Sequence, residues 1–301
     1  MTTRGSTHDA ADPQVSVVVP TRDRPDRLAV CLAALERQTQ PDLEIVVVDD
    51  ASRDAAAVAA VVATAPRARL VRGAGRGPAA ARNAGVQAAR APVVCFTDDD
   101  CEPVPNWAAA LAARLTAGAD APGPDAPGPD AVAGPTRNGR PRSVFAAAAQ
   151  AVATHLAEAT IDAAGHMRFA PTSNLACRTE VCAAVPFDET YPLAAGEDRD
   201  WCARLVASGR TLAFVPGALV RHHQELSPAG FWRQQVRYGR GAYRFRAGQG
   251  TLRRPEPVSF YLGLLRRGFA DGGRAGLLVG VAQVATAVGM AAEAATEARR
   301  R

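Results

Sequence analysis

Short apolar runs alternate with amphipathic stretches across the first hundred residues, and this alternation sets the fold class. Gln14-Val-Ser-Val-Val-Val19 is a strand-length run that stops at Pro20. Asp26 can then cap a helix running to about Gln38, with Leu28, Leu32 and Leu35 on one face. A second run, Leu43-Glu-Ile-Val-Val-Val48, ends in Asp49-Asp50. A helix over Asp54 to Ala65, a strand over Ala68 to Arg72, a glycine loop, a helix over Pro78 to Arg90 and a strand ending at Asp98 follow. Runs that are apolar at nearly every position suit strands covered on both faces. The pattern therefore predicts an α/β fold, a mostly parallel Rossmann-like sheet flanked by helices.

Downstream the rhythm breaks. Ala121-Pro-Gly-Pro-Asp125 repeats as Ala126-Pro-Gly-Pro-Asp130, and a tandem Pro/Gly repeat holds neither a helix nor a central strand. It marks 117–130 as a surface insertion between a first half, 14–116, and a second, 131–225. In the second half the pattern predicts a strand at Ala131 to Gly134, a helix at Ser143 to Glu158 and a strand-like segment from Arg168 to Cys177. A glycine-closed helix from Asp200 to Gly209 and a strand from Thr211 to Val220 complete it. Residues 1–13 read as a disordered polar N-terminus without a secretory signal. Residues 226–301 read as a helical tail.

Charge changes the picture of that tail. All 35 basic residues are arginine, a bias that carries no function by itself. From Arg221 to Arg301, however, arginines exceed acids by nine, whereas residues 1–220 carry a net of −4. Eight of the 16 aromatics lie between Phe231 and Phe269, interleaved with arginines. Basic residues mixed with aromatics suit an anionic membrane surface, and no nucleic-acid recognition motif accompanies them. The uncharged run from Ala275 to Ala292 barely reaches a bilayer span and contains Gln283 and Thr286, so a buried or interfacial helix is expected. The six cysteines have no zinc spacing; several sit inside apolar stretches as ordinary small core residues do, and a reducing compartment is expected.

Candidate chemistry gathers at predicted strand ends. Val93-Val-Cys-Phe-Thr97 runs into Asp98-Asp99-Asp100, and three like charges at a strand end raise the folded-state energy unless a cation sits there. Oxygen donors of this kind suit Mg²⁺ or Mn²⁺, with substrate phosphates completing the shell. The bland reading is a solvated acidic loop. Pro20-Thr21-Arg22 and Asp49-Asp50 lie at two further strand ends, the edge where such sheets bind ligands.

Val-Val-Val-Pro20-Thr-Arg-Asp-Arg, Ile-Val-Val-Val-Asp-Asp50-Ala-Ser, Ala-Arg82-Asn-Ala-Gly85, Phe-Thr-Asp98-Asp-Asp and Gly-Glu197-Asp198-Arg-Asp, in this order, resemble the landmarks of family 2 glycosyltransferases. The resemblance spans roughly Val15 to Arg246. It implies a GT-A-type fold with a C-terminal helical tail, and an inverting transfer from a nucleotide-diphosphate sugar to a hydroxyl acceptor, lipid-linked, envelope or small-molecule. It further implies that Pro20, Arg22, Asp49 and Asp50 contact the nucleotide base, that Arg82 and Asn83 close over the nucleoside and phosphates, and that Asp98 and Asp99 meet the ribose. Asp98 and Asp100 then hold a Mn²⁺ or Mg²⁺ ion, joined by His222. Asp198 is the expected general base; the alternative is a helix N-terminal carboxylate. For His222 the alternative is a surface pair with His223.

Gln234-Gln235-Val-Arg237-Tyr238 is similar to an element of processive relatives, but carries Tyr where they carry Trp. Thr172-Ser173-Asn174 falls where relatives form the acceptor side. Two other classes compete. Gly75-Arg-Gly77-Pro-Ala-Ala80 fits the dinucleotide-binding fingerprint of an NAD(P)-dependent oxidoreductase, although it follows the third strand rather than the first. An inactive binding module that keeps the fold is the other. The expected location is cytoplasmic, peripheral on the inner face of the cell membrane.

Overall fold

A computed structural model describes residues 12–117, 128–191, 193–252 and 256–299; most of the disordered N-terminus and of the Pro/Gly repeat expected from the sequence lie outside them. In chain order the elements are β1 (Val15–Thr21), α1 (Pro25–Glu36), β2 (Leu43–Asp49), α2 (Ala55–Val62), β3 (Ala68–Arg72), α3 (Pro78–Ala88), β4 (Val93–Phe96), β5 (Cys101–Pro103), α4 (Trp107–Thr116), β6 (Ala131–Ala133) and β7 (Thr136–Asn138). There follow α5 (Val144–Glu158), β8 (Leu175–Arg178), α6 (Thr179–Ala184), α7 (Glu197–Ala207), β9 (Leu212–Phe214), β10 (Val220–His222), α8 (Pro228–Gly248), α9 (Val258–Ala270) and α10 (Gly273–Ala298).

The main sheet has the order β3-β2-β1-β4-β8-β6-β9. Its first four strands are parallel, and β8 runs antiparallel to both β4 and β6. Every residue of β1 and β2 is buried, which is why both read as unbroken apolar runs. Leu28, Leu32, Leu35, Val58, Trp107 and Leu111 cover one face of the sheet; Val86, Phe187, Trp201 and Leu205 cover the other.

Several predicted boundaries move, each for a local reason. β1 runs through Pro20 because β4 pairs only as far as Val18, so the missing N–H breaks no ladder. Pro25 takes the first helical position, so α1 begins there with Arg24 as N-cap, and Asp26 lies inside the first turn. The segment Arg168 to Cys177 is a strand only from Leu175, behind Pro171 and a 3₁₀ turn at Thr172–Asn174. The run Thr211 to Val220 is split by Pro216-Gly217 into β9 and β10, which belong to different sheets. Cys177 and Cys182 form a disulfide between β8 and α6, against the expectation of a reducing compartment; Cys31, Cys95, Cys101 and Cys202 are free and buried.

Split strands have a use. β10 joins β5 and β7 in a small second sheet, and its antiparallel register sets His222 opposite Cys101. That pairing carries a histidine from late in the chain to the end of β4.

The C-terminal helices pack on α5 and on one another around Phe231, Leu264, Val279 and Ala282. α8 and α10 touch backbone to backbone: a Cβ on Gly239 would lie 2.0 Å from the Thr286 carbonyl oxygen, and one on Gly289 2.0 Å from that of Val236. Glu293, 1% exposed, is clamped by Arg240 at 2.9 Å and Arg244 at 2.6 Å. α10 is long and apolar enough to cross a membrane, with a mean hydropathy of 1.8 over its most apolar window, and a third of that window is buried against the body.

Candidate active site

The loops after β1 and β2 are stapled together at the sheet's carboxyl edge. The Asp23 amide donates to Ser52 Oγ (2.8 Å), and the Arg53 amide to Asp23 Oδ1 (2.7 Å). Asp23 and Ala51 both adopt left-handed backbone, an unfavourable state for residues with a Cβ that the staple holds in place.

The two carboxylates after β2 have separate tasks. Asp49 is buried, accepts the Ser52 amide at 2.9 Å and pairs with Arg72. Asp50 accepts the Gly77 amide at 2.9 Å through Oδ2, with Arg22 4.0 Å away, while its buried Oδ1 has no hydrogen-bond partner among the described residues. Gly77 has φ +99°, which only glycine adopts freely, so the glycine loop is shaped to meet Asp50. The loop amide of the fingerprint is thus engaged by a carboxylate, and the loop follows β3; neither fits a dinucleotide cradle.

The aspartate triple divides in the same way. Asp99 is fully buried beneath the rim, accepting from Thr21 Oγ1 at 2.7 Å and lying 2.7 Å from Arg24. Burial pushes its carboxyl up to about 7 despite Arg24. Asp98 and Asp100 converge with His222 and Cys101 so that one ligand atom from each lies within 4.8 Å of the others. His222 Nε2 lies 3.1 Å from Asp100 Oδ1, and Gln224 bonds its Nδ1 at 3.3 Å. Burial works against both charges, yet each holds the other: Asp100 stays well below the ordinary carboxylate range, and His222 is raised. Two carboxylates and an imidazole are a fitting donor set for Mn²⁺ or Mg²⁺. Cys101 adds little there, because burial and then Asp100 push its thiol far above its usual value and keep it neutral.

Arg82 ties this cluster to the second acidic pair. It is buried, donating from Nη2 to Asp98 at 3.0 Å and from Nη1 to Glu197 at 3.0 Å. Glu197 and Asp198 occupy the first turn of α7, which starts three residues earlier than its sequence pattern indicates. Gly196 makes that start: its φ is +92°, and a Cβ there would lie 2.9 Å from the Gly241 carbonyl oxygen. Asp198 accepts the Arg199 amide at 2.8 Å. Burial, reinforced by Glu197, raises its carboxyl to about 7. Asp198 thus sits in the first turn of a helix and yet has its pKa raised rather than lowered. Arg82, Asp98, Asp198 and His222 all line one cavity of about 300 Å³, walled on its far side by α5, α8, α9 and α10.

Other expected residues are placed differently. Asn83 spends its side chain on the neighbouring loop, donating to the Phe187 carbonyl (2.9 Å) and Glu189 (3.0 Å) and accepting the Phe187 amide (2.9 Å). Pro20 is buried inside β1, and Arg22 is exposed. Thr172 and Ser173 line the cavity, whereas Asn174 is a fastener, accepting from Trp107 and donating to two backbone carbonyls. Gln234 donates to Gln224, linking α8 to His222. Arg24, Arg27 and Gln224 went unnoticed as sequence. The two-residue spacing of His222 and Gln224 on an extended segment, which puts both on one side, was the available signal for the last.

The family model for Glycosyl transferase family 2 matches residues 16–170, and that for Glycosyl transferase family group 2 matches residues 138–292. Among curated proteins, pre-mycofactocin glycosyltransferase of Mycobacterium tuberculosis is 28% identical over 235 residues, covering 76% of this chain and 46% of the relative. Glycosyltransferase AglE of Haloferax volcanii is 33% identical over 100 residues, 32% of this chain and 33% of the relative. The chain thus spans about half or less of the length of these relatives. Among solved structures, mannosyltransferase PcManGT from Pyrobaculum calidifontis, in complex with GDP-Man and Mn²⁺, superposes with a TM-score of 0.55 at 22% identity over 97% of this chain and 81% of that one. S. aureus TarS follows at 0.53 and 15%, over 92% and 54%.

Proposed function

The chain belongs to glycosyl transferase family 2 and has a GT-A architecture, and on that premise we propose that it transfers a sugar, with inversion and with a divalent ion, from a nucleoside-diphosphate donor to a hydroxyl acceptor. The observation that carries the proposal is Asp198. It is a carboxylate raised to about 7 by burial and by Glu197, on the wall of the cavity that Asp98 and His222 also line. A base of that pKa can be ionised at neutral pH and still accept a proton.

The roles of the chain's own residues follow. Asp50, with a buried oxygen that has no hydrogen-bond partner among the described residues, accepts a hydrogen bond from the nucleotide base, and Arg22 lies over it. Asp98, Asp100 and His222 would hold a Mn²⁺ or Mg²⁺ ion, whose charge, when it is bound, offsets that of the diphosphate leaving group. Asp198 takes the proton of the acceptor hydroxyl. Arg82 fixes the spacing between donor and base by gripping Asp98 and Glu197 together. Asp49, Asn83 and Asp99 support the donor loops through the internal contacts described above. The neighbour solved with GDP-Man and Mn²⁺ supports a nucleotide-sugar donor and a divalent ion.

The helical tail extends the proposal to place and partner. Leu277, Val281, Val284 and Val288 form an exposed stripe along α10, with Val258, Leu262 and Phe269 exposed on α9. Spacing of four, three and four residues keeps the stripe on one side of the helix. We read this side as lying on the cytoplasmic surface of the cell membrane, where a lipid-linked or envelope acceptor is presented.

A screen of nucleotide sugars for metal-dependent nucleotide release tests the core of the reading. The chain should release nucleotide only with Mn²⁺ or Mg²⁺, and Asp100→Ala should abolish release. Release that persists in a chelator, or wild-type rates in the variant, would overturn it.

A further inference from the structure

The cavity beside Asp198 has two unlike walls. Toward β4 and β10 it is acidic, with Asp98, Glu197 and Asp198; away from them it is apolar, with Leu156, Phe169, Phe260, Leu264 and Met290 among its lining. Arg199 stands where the walls meet. Its guanidinium carbon lies 5.6 Å from the ring centre of Phe169 and 5.0 Å from that of Phe245. Among the described residues no carboxylate forms an ion pair with it, and Glu256, which also lines the cavity, pairs with Arg246 at 3.0 Å. Burial lowers the pKa of Arg199, and the nearby charges of Asp198 and Glu256 offset that only in part.

Aromatic faces stabilise a guanidinium from above and below but leave its in-plane N–H donors unsatisfied. Those donors form a fork that matches two oxygens of one anionic group. Arg199 also follows Asp198 directly, and its amide donates to that carboxylate. A fork for an anion and a base for a hydroxyl thus share one turn of α7.

We propose that the acceptor is an amphiphile bearing an anionic oxygen group, held by Arg199, with its apolar part along α5, α9 and α10. The inference rests on the transfer reading above and names the class of its acceptor. A cavity of about 300 Å³ takes the head of such a molecule and the start of its chain, the remainder leaving along the helices. Arg199 is a specificity residue in this scheme, and proton removal stays with Asp198.

Calorimetric titration of the full chain with decyl phosphate, decanoate and neutral decyl maltoside, below their micelle concentrations, tests the proposal. The expected result is one anionic molecule per chain, bound at least about tenfold more tightly than the maltoside, the size of a charge-assisted bidentate contact. The better of phosphate and carboxylate identifies the headgroup. Arg199→Gln should reduce the preference to less than about threefold, and Arg199→Lys should keep part of it. Equal affinity of wild-type chain for charged and neutral probes overturns the inference, with no variant required, and so does a preference that survives in Arg199→Gln. Thermal stabilisation of the wild-type chain by nucleoside diphosphate with Mn²⁺, run in parallel, separates the two failures. Loss of that response counts against the transfer reading, whereas its presence without an anion preference sinks the acceptor class alone.

Discussion

Around the acidic rim, carboxylates are tied to cations: Asp49 to Arg72, Asp99 to Arg24, Asp100 to His222, and Asp98 and Glu197 to one shared arginine, Arg82. Where this rim meets the helical wall, Arg199 rests on two aromatic rings with no close ion pair among the described residues. The acidic rim is cross-braced before any ligand arrives, as suits a site that must hold a diphosphate and an ion in fixed register. The junction with the helical wall leaves a guanidinium stacked on apolar rings rather than braced by a close carboxylate, as suits a site that accepts an anion. The two regions meet at Asp198, where the contrast is easiest to break.

The largest effect is expected there. Asp198→Asn keeps the volume of the side chain and removes its basicity, so turnover should fall by about 10² to 10⁴-fold, the usual contribution of a positioned base. Nucleotide affinity should change little, because Asp50 and the metal ligands are untouched. Comparing kcat with the nucleotide Kd decides the matter: a variant that loses nucleotide affinity and keeps kcat would move Asp198 to the donor side.

Arg82→Met comes next. It leaves Asp98 and Glu197 without their shared cation, and removing one partner of a buried ion pair commonly costs about 3–5 kcal/mol. Asp98 is partly exposed, so the lower end is expected. Denaturant unfolding measures it, with Arg199→Met as the counterpart from the other wall. That change should cost about 1 kcal/mol or less, since it removes stacking on two rings and breaks no close ion pair among the described residues. Equal losses in the two variants would erase the distinction between a braced rim and an open wall.

A smaller loss is expected from Gly289→Ala, which tests whether the helical wall is as firmly seated as the rim. The new Cβ would meet the Val236 carbonyl oxygen at 2.0 Å, so α8 and α10 must separate, at about 1–3 kcal/mol for an overpacked contact. The same separation displaces Gln283, Thr286 and Met290, which line the cavity. Thermal unfolding together with decyl phosphate affinity reads both consequences. An unchanged melting temperature would mean that α10 is only loosely attached.

The contrast also explains what could be read in advance. β1, β2 and β4 were legible because strands buried on both faces must be apolar throughout and must end where the chain turns polar. Asp98, Asp100 and Asp198 were visible for the same reason. The pairing of those groups was not, since Arg82 reaches Glu197 across 115 residues and no local pattern encodes that contact. His222 could be proposed, but its approach to Asp100 depends on the register of β10 against β5, two three-residue strands too short to announce themselves. The disulfide escaped because Cys177 and Cys182 come together only when a strand turns straight into a helix. Arg199 was hidden by abundance: among 35 arginines, only the fold shows which ones line the cavity.

The smallest effect is thermodynamic, and its sign is the informative part. Asp198 has a folded pKa raised from 3.8 to about 7, first by burial and then by Glu197. Between those values the folded chain holds a proton that the unfolded chain has released, so stability falls as the pH rises through this window and stays reduced above it. Asp198→Asn has no charge to bury and escapes the loss. Its melting temperature should match that of the wild-type chain near pH 4 and exceed it at pH 8 by about 2 °C or more, the shift roughly 1 kcal/mol produces in a domain of this size. Wild-type kcat/KM should fall in parallel as the pH drops below about 7, where the base becomes protonated. The opposite sign, a variant that gains stability only at low pH, would mean that Asp198 is stabilised as an anion like Asp100. It would then belong to the braced rim, and the proton acceptor would have to be sought elsewhere on the cavity wall.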